Sequence, residues 1–322
     1  MVETMIPVAT DTEPKPYARR SLWARFLDSD LLHAFKRSKL TMVATAIVAL
    51  FFIVAIAAPL LAPQDPFDPA QIELINSRIA PLWTAEGQSP FLLGTDEQGR
   101  DVFSAILYGL RISLTVGVMG VALAATIGIS LGLIAGYFGG FVDSLIMRIA
   151  DVQLTFPAIL IALLIDGVVK SVLGNHLDPM ATLAVLVVAI GLSFWVQYAR
   201  TVRGSVMVER NKDYVAAAQL IGLPSPVIMV RHVLPNTLGP ILVIATINLA
   251  LAILTEATLS FLGSGMPDTM PSLGTLIRIG NNYLFAGEWW IVAFPGLSLA
   301  LLILSMNMLG DWLRDALNPK LR

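Results

Sequence analysis

The residues best able to act on another molecule form a polar island at positions 213 to 236 of an otherwise apolar chain. It reads Asp213-Tyr214-Val215-Ala216-Ala217-Ala218-Gln219-Leu220-Ile221-Gly222 and continues to Arg231-His232-Val233-Leu234-Pro235-Asn236. Ala216, Ala217 and Ala218 favour a helix and add little bulk, Tyr214 supplies an aromatic anchor, and Gly222 with Pro224 ends the helix promptly. A short helix with a flat, small-residue face can slot into a groove on a partner protein. An amphipathic helix resting on a bilayer fits the same residues. The chemistry is non-covalent recognition in either case. No lysine follows a glycine, so a phosphate-binding G-x-x-x-x-G-K-[ST] loop is absent, and so is H-E-x-x-H. No catalytic residue is expected. His33, His176 and His232 fall far apart, so no metal site is expected either.

The elements that hold this island must be membrane helices. Of 322 residues, 56% are hydrophobic and only 14% charged, and the mean hydropathy is +0.75, far more apolar side chain than one soluble core uses. The net charge of −2 offers no basic face for nucleic acid. The absence of cysteine excludes disulfides, thiolate metal sites and cysteine nucleophiles. Residues 40–62 form an uncharged run long enough to cross roughly 30 Å of hydrocarbon. It lacks a small-residue cleavage site and starts too late for a signal peptide.

Further apolar segments near 112–136, 142–168, 180–199, 238–262 and 290–310 bring the expected spans to six. The fold class is therefore an all-α polytopic membrane protein. Residues 1–38 read as a polar tail with an amphipathic interfacial helix, built on Leu22, Trp23, Phe26, Leu27, Leu31, Leu32 and Phe35. The first span is 39–62, a proline-containing loop ordered only in part covers 63–110, the membrane core is 111–311, and a tail follows at 312–322. With six spans both termini share a side. Fifteen Lys and Arg lie on that side, counting the N-terminal tail, the loop from Arg200 to Arg231, and Arg314, Lys320 and Arg322. Five, Arg78, Arg100, Arg111, Lys170 and Arg278, lie opposite. Both termini and the polar island are thus placed in the cytoplasm.

Polar groups inside spans carry a cost of roughly 2.5–3.5 kcal/mol for a central Arg or Asp and so need partners. Arg148 and Asp151, three residues apart, can pair on one helix face, and a structural salt bridge is the favoured reading. Gln153, Asn248, Glu256 and Asn307 could face protein or water. For Glu256 a path lining and interhelical glue fit equally. Gly128, Gly132 and Gly136 recur every four residues and allow close helix approach, within the chain or against a second subunit.

A family resemblance now becomes visible. The island resembles the EAA loop of membrane subunits of bacterial ATP-binding-cassette importers: Ala216-Ala217-Ala218, Gly222 and His232-Val233-Leu234-Pro235 keep the spacing of Glu-Ala-Ala, Gly and Ile-x-Leu-Pro. Ala216 stands in for the glutamate and His232 for the isoleucine. Leu93-Gly94-Thr95-Asp96-Glu97-Gln98-Gly99-Arg100-Asp101, Gly136-Tyr137-Phe138-Gly139-Gly140, Glu256 through Gly263, and Leu309-Gly310-Asp311 through Pro319 are similar to the C-type permease of the dipeptide, oligopeptide and nickel importer group. The resemblance implies the type I importer permease fold in the bacterial cytoplasmic membrane. It further implies a heterodimer with a homologous permease, two cytoplasmic ATPase subunits or domains that hold ATP and Mg, and an extracytoplasmic solute-binding protein. No cofactor is expected on this chain. ATPase docking would fall to Asp213, Tyr214, Ala216, Ala217, Ala218, Gly222, Leu234 and Pro235, and Asn248, Glu256 and Asn307 are candidates for the path. Peptides are the expected solute, nickel chelates and other small solutes being alternatives within the group. An ion-gradient-driven secondary transporter is the competing class; it would need inverted repeats and broken midplane helices, and no convincing repeat is found.

Overall fold

The computed structural model describes residues 35–36, 38–174 and 178–317. The expected amphipathic helix up to Leu32, His33, His176 and the last five residues lie outside them. Among the described residues, nine α-helices of eight residues or more carry the architecture: α1 Lys39–Ile56, α2 Val102–Phe138, α3 Gly140–Leu154, α4 Ala158–Leu173, α5 Pro179–Glu209, α6 Asp213–Leu220, α7 Leu238–Phe261, α8 Leu273–Asn281 and α9 Trp290–Ala316. Among the described residues there is no strand, only an isolated bridge between Thr95 and Asp101. Helices α1, α2, α5 and α9, and the run Ser225–Phe261 that contains α7, are long and apolar enough to cross a membrane. The pair α3 and α4 makes a sixth crossing if counted as one span, but it bends by 90°.

That bend departs from the continuous span expected at 142–168. Pro157 has no N–H to donate and pushes Phe156 out of the helical region, while the Thr155 hydroxyl turns back to the Val152 carbonyl at 2.7 Å. Two other spans are longer than hydropathy alone indicated. α2 begins at Val102 because the Asp101 carboxylate caps it, accepting from the Ser104 amide (2.8 Å) and hydroxyl (2.6 Å). α5 runs on to Glu209, so Arg200 and Arg203, expected in a loop, are helical.

The tightest packing is between α2 and α5. Side-chain-free positions on α2 let the backbones meet: a Cβ on Gly132 would lie 2.5 Å from the Ala199 carbonyl oxygen, and one on Gly136 2.8 Å from Val206 Cβ. In hydrocarbon, where apolar side chains gain nothing by leaving lipid, such close approach is a principal source of helix association. The four-residue glycine spacing thus serves packing within the chain. α1, α2, α7, α8 and α9 share one apolar cluster, and α2, α4, α5 and α7 another.

The loop between α1 and α2 was expected to be ordered only in part, yet residues 57–101 are described throughout. Arg100, 1% exposed, explains much of this: its Nε donates to Asp96 at 2.5 Å and its Nη1 to the Asp268 carbonyl at 2.8 Å, tying the loop to the α7–α8 connection. The Trp290 indole N–H donates to the Thr95 carbonyl (3.1 Å), fastening the same loop to the start of α9. Glu97 sits beside this cluster, and burial, aided by the neighbouring Asp96 charge, pushes its carboxyl above the usual range.

Candidate functional site

The polar island folds as a short surface helix held from beneath. Lys212 is extended and Asp213 opens α6. Val215 and Ala218 turn inward onto a cluster with Leu133, Val202, Val206, Ile228 and Val233, which anchors α6 to the ends of α2 and α5. Gly222 adopts φ +80°, which L side chains rarely take, and the Leu223 amide reaches back to the Ala218 carbonyl at 3.1 Å. This is the glycine-terminated stop the sequence indicated.

The opposite face is open. Asp213, Ala216, Ala217, Gln219 and Gly222 are exposed, and Leu220 and Ile221 are 88% and 75% exposed. Of the eight docking positions, Asp213, Ala216, Ala217, Gly222 and Pro235 lie on the surface, Tyr214 and Leu234 are half-buried, and Ala218 faces the core. Ala218 therefore supports the helix instead of presenting it.

Hydrogen bonds lock α6 to its neighbours. The Glu209 carboxylate accepts from Lys212 Nζ (2.6 Å) and from the Tyr214 hydroxyl (2.7 Å), and Asn236 Nδ2 donates to that hydroxyl at 3.2 Å. Partial burial, together with the bond given to Glu209, raises the Tyr214 pKa. Arg210 Nη1 donates to the Gly136 and Tyr137 carbonyls (3.1 and 3.0 Å), the orphan acceptors at the end of α2, where a cation is favourable. The Gln219 side chain donates to the Tyr137 hydroxyl at 3.3 Å. α6 is thus bonded directly to both α2 and α5. The link to α7 is different: Met229–Val233 is π-helical and Leu234–Thr237 a 3-10 turn before α7 starts. Such irregular turns often mark functional sites or hinges.

The intramembrane candidates are not gathered into one lining. Glu256 is fully buried, accepting from Ser113 Oγ (2.8 Å) and Ser260 Oγ (2.7 Å), and Ser113 in turn accepts from the Leu273 amide (3.2 Å). It joins α2, α7 and α8, which is the glue reading. Asn248 is buried on the same helix, and Asn307 is exposed on α9. The expected Arg148–Asp151 pair is corrected: Asp151 pairs with Arg200 of α5, while Arg148 is exposed. A second ion pair joins Arg203 to Asp143, so two arginines of α5 hold α3. Gln153 faces protein, donating to the Leu192 carbonyl (2.6 Å) and accepting from the Trp195 indole (2.7 Å). Arg200, Arg203 and Arg210 were missed as structural partners because hydropathy placed them in a loop; a helical continuation through residue 209 would have lined Arg200 and Arg203 up with α3 and set Arg210 at the end of α2.

The letters G-x-S-x-G do occur, at Gly128-Ile129-Ser130-Leu131-Gly132. They lie inside α2 with the Ser130 hydroxyl donating to the Thr126 carbonyl (2.7 Å), without the strand-to-helix elbow a nucleophile of that type needs. Among the described residues no cluster of His, Asp or Glu is arranged to hold a metal.

Comparison with known proteins matches residues 128–322 to the family of binding-protein-dependent transport system inner membrane components, and residues 21–81 to the N-terminal TM domain of oligopeptide transport permease C. The dipeptide transport system permease protein DppC of Haemophilus influenzae is 38% identical over 288 residues, 89% of this chain and 93% of that one. The di/tripeptide transport system permease protein DppC of Pseudomonas aeruginosa is 37% identical, covering 90% and 91%. The glutathione transport system permease protein GsiD of Pectobacterium atrosepticum is 35% identical, covering 94% and 91%. With its membrane helices, its surface helix at Asp213–Leu220 and these matches, the chain belongs to the binding-protein-dependent transport system inner membrane components.

Proposed function

We infer that this chain forms half of the membrane passage of an ATP-driven importer of short peptides. The observation that carries the reading is the open face of α6, with apolar Leu220 and Ile221 standing in solvent beside Ala216 and Ala217 on a helix braced against α2 and α5. Relatives named for dipeptide, di/tripeptide and glutathione transport support the peptide assignment. The second half of the passage is a homologous permease, and two ATPase subunits or domains, which bind ATP and Mg and carry out the hydrolysis, sit on the α6 side. A solute-binding protein delivers peptide to the opposite side. The chain itself holds no cofactor and catalyses nothing. The bias of Lys and Arg supports an orientation with both termini, and α6, on the cytoplasmic side of a bacterial inner membrane.

In this mechanism Asp213, Tyr214, Ala216, Ala217, Gly222, Leu234 and Pro235 form or frame the surface seated in an ATPase groove, with Ala218 packed behind it. Closure of the ATPases on ATP moves α6, and Arg210 and the Glu209–Tyr214 bonds carry that movement to α2 and α5. The two states differ in which side of the passage is open, and ATP biases them through contacts that differ between states. The absence of cysteine gives a clean test. Cysteine at Ala217, paired with single cysteines scanned along the ATPase groove, is expected to crosslink in a nucleotide-dependent manner. Failure of every pair in both nucleotide states, in a complex that transports, would refute docking through α6. Ion-driven peptide uptake by the purified chain alone would refute the importer reading as a whole.

A further inference from the structure

Between α2 and α5, at the end away from α6, lies a groove of about 580 Å³, within the range of small-ligand sites. Its walls are mostly apolar, Met180 and Ala184 of α5 facing α2, with Tyr108, Arg111 and Thr115 supplying the polar groups. Arg111 is exposed and enters no ion pair among the described residues, unlike Arg200, Arg203 and Arg278, each matched to a carboxylate. It stands nine residues into α2, about 14 Å along the helix, with apolar groove walls around it. A guanidinium in such surroundings presents a planar fork suited to a carboxylate or phosphate. One carboxylate, Asp65, stands two residues before the groove-lining Phe67. Asp65 accepts from the Phe67 amide at 3.0 Å, and the Phe67 ring packs edge-on against Tyr108 with centroids 5.1 Å apart. An anion held beside an aromatic pair, and an unpaired cation on the groove wall, therefore lie on the same side of the molecule.

We propose that this groove is a subsite on the peptide's route, with Arg111 holding the C-terminal carboxylate and Asp65 facing the ammonium group at the other end. This rests on the peptide-importer reading given above and adds a recognition role for the permease itself. The site is built for charge at both ends and indifferent in the middle, where Met180 and Ala184 accept side chains of varied size. Arg111 here is a specificity residue that touches substrate. The other chemistry that would suit it, a lipid headgroup phosphate, places Arg111 at the membrane surface with no part in transport.

The test uses the complete importer in proteoliposomes, with binding protein preloaded with radiolabelled alanyl-alanine, measuring peptide delivered and ATP hydrolysed. Wild type is expected to deliver peptide with ATP. Arg111→Gln is expected to lower peptide delivered per ATP at least tenfold, with stimulation of hydrolysis by loaded binding protein kept within about twofold. Arg111→Lys, which keeps the charge, is expected to recover delivery to within about threefold of wild type. Ala184→Trp, at an exposed position that needs no repacking, is expected to block the groove and lower delivery similarly, and it decides the matter if Arg111→Gln fails to assemble. Wild-type delivery per ATP in Arg111→Gln or in Ala184→Trp would overturn the proposal and leave Arg111 to the lipid surface. A lysine variant as impaired as the glutamine variant would also overturn it. No peptide delivery by the wild-type complex would instead overturn the importer reading on which the proposal rests.

Discussion

Gly128→Ala is expected to loosen the α2–α5 pair more than any comparable change along that seam. A Cβ there would press on the Trp195 carbonyl and stand 2.5 Å from Tyr198 Cβ and 3.0 Å from the Ala199 amide nitrogen. Two of these atoms belong to backbone, so relief requires the helices to separate. Overpacking of this kind costs about 1–3 kcal/mol, and the obstruction by backbone puts Gly128 at the upper end. Against it stands the better helix propensity of alanine, worth about 1 kcal/mol. The net loss is about 2 kcal/mol, which at roughly 2–4 °C per kcal/mol lowers the unfolding midpoint by about 4–8 °C. Two internal references calibrate the series. Gly204→Ala meets nothing within 4 Å and should leave the midpoint unchanged or slightly raised. Gly120→Ala meets the Ile190 Cγ2 methyl at 2.8 Å and its Cβ at 3.1 Å, with the nearest backbone atom, the Val187 carbonyl oxygen, at 3.8 Å, and should fall between. The assay is thermal unfolding of the purified protein in detergent, followed by tryptophan fluorescence, to which Trp195 beside the site contributes. A midpoint for Gly128→Ala equal to that of Gly204→Ala would refute the reasoning.

Two further outcomes follow from buried polar groups. Glu256→Leu leaves the Ser113 and Ser260 hydroxyls without their acceptor and is expected to cost about 2–4 kcal/mol, whereas Glu256→Gln retains an acceptor and should cost less than half as much; equal losses in thermal unfolding would refute the network. Glu97 has its carboxyl pKa raised by burial, so its ionised form destabilises the folded chain at neutral pH. Glu97→Gln should therefore raise the unfolding midpoint at pH 7, and the gain should vanish as pH falls toward the ordinary value of 4.5, where both states of the wild type take up the proton. A gain that persists unchanged at pH 4 would contradict this assignment.

Much of the architecture can be read from periodicity and charge. The glycine stop at Gly222, the helix at 213–220 and most of the spans follow from local rules, because each depends on residues within a few positions of one another. What was not legible depends on partners distant in sequence. Asp151 has Arg148 one turn away, yet it chooses Arg200, 49 residues on, because the two helices carrying them pack side by side. Glu256 cannot be told from a path lining until Ser113, 143 residues earlier, is found beside it. Hydropathy also underestimates helices that outrun the bilayer: the last turns of α5, Arg200 to Glu209, are largely polar, and in α2 Arg111 separates the apolar stretch from Val102 to Leu110 from the run that follows it. Pro157 was the one strong local signal passed over, and it breaks the third span. Among the docking positions, the inward turn of Ala218 follows from helical period once Val215 is recognised as a core residue.

The overhang of α2 has a mechanical meaning. Its 37 residues make a rod of about 55 Å, nearly twice the hydrocarbon thickness of roughly 30 Å. It is clamped near one end by Arg210 on the Gly136 and Tyr137 carbonyls and carries Arg111 toward the other. Because its glycines meet α5 from Gly120 to Gly136, and Arg210 at the end of α5 holds its last turn, α2 is joined to α5 as a single stiff pair over that length. If that pair tilted by about ten degrees about its α6 end, geometry alone would carry the far tip of a rod of this length through about 9 Å, so a small displacement on the α6 side would be a large one at the other.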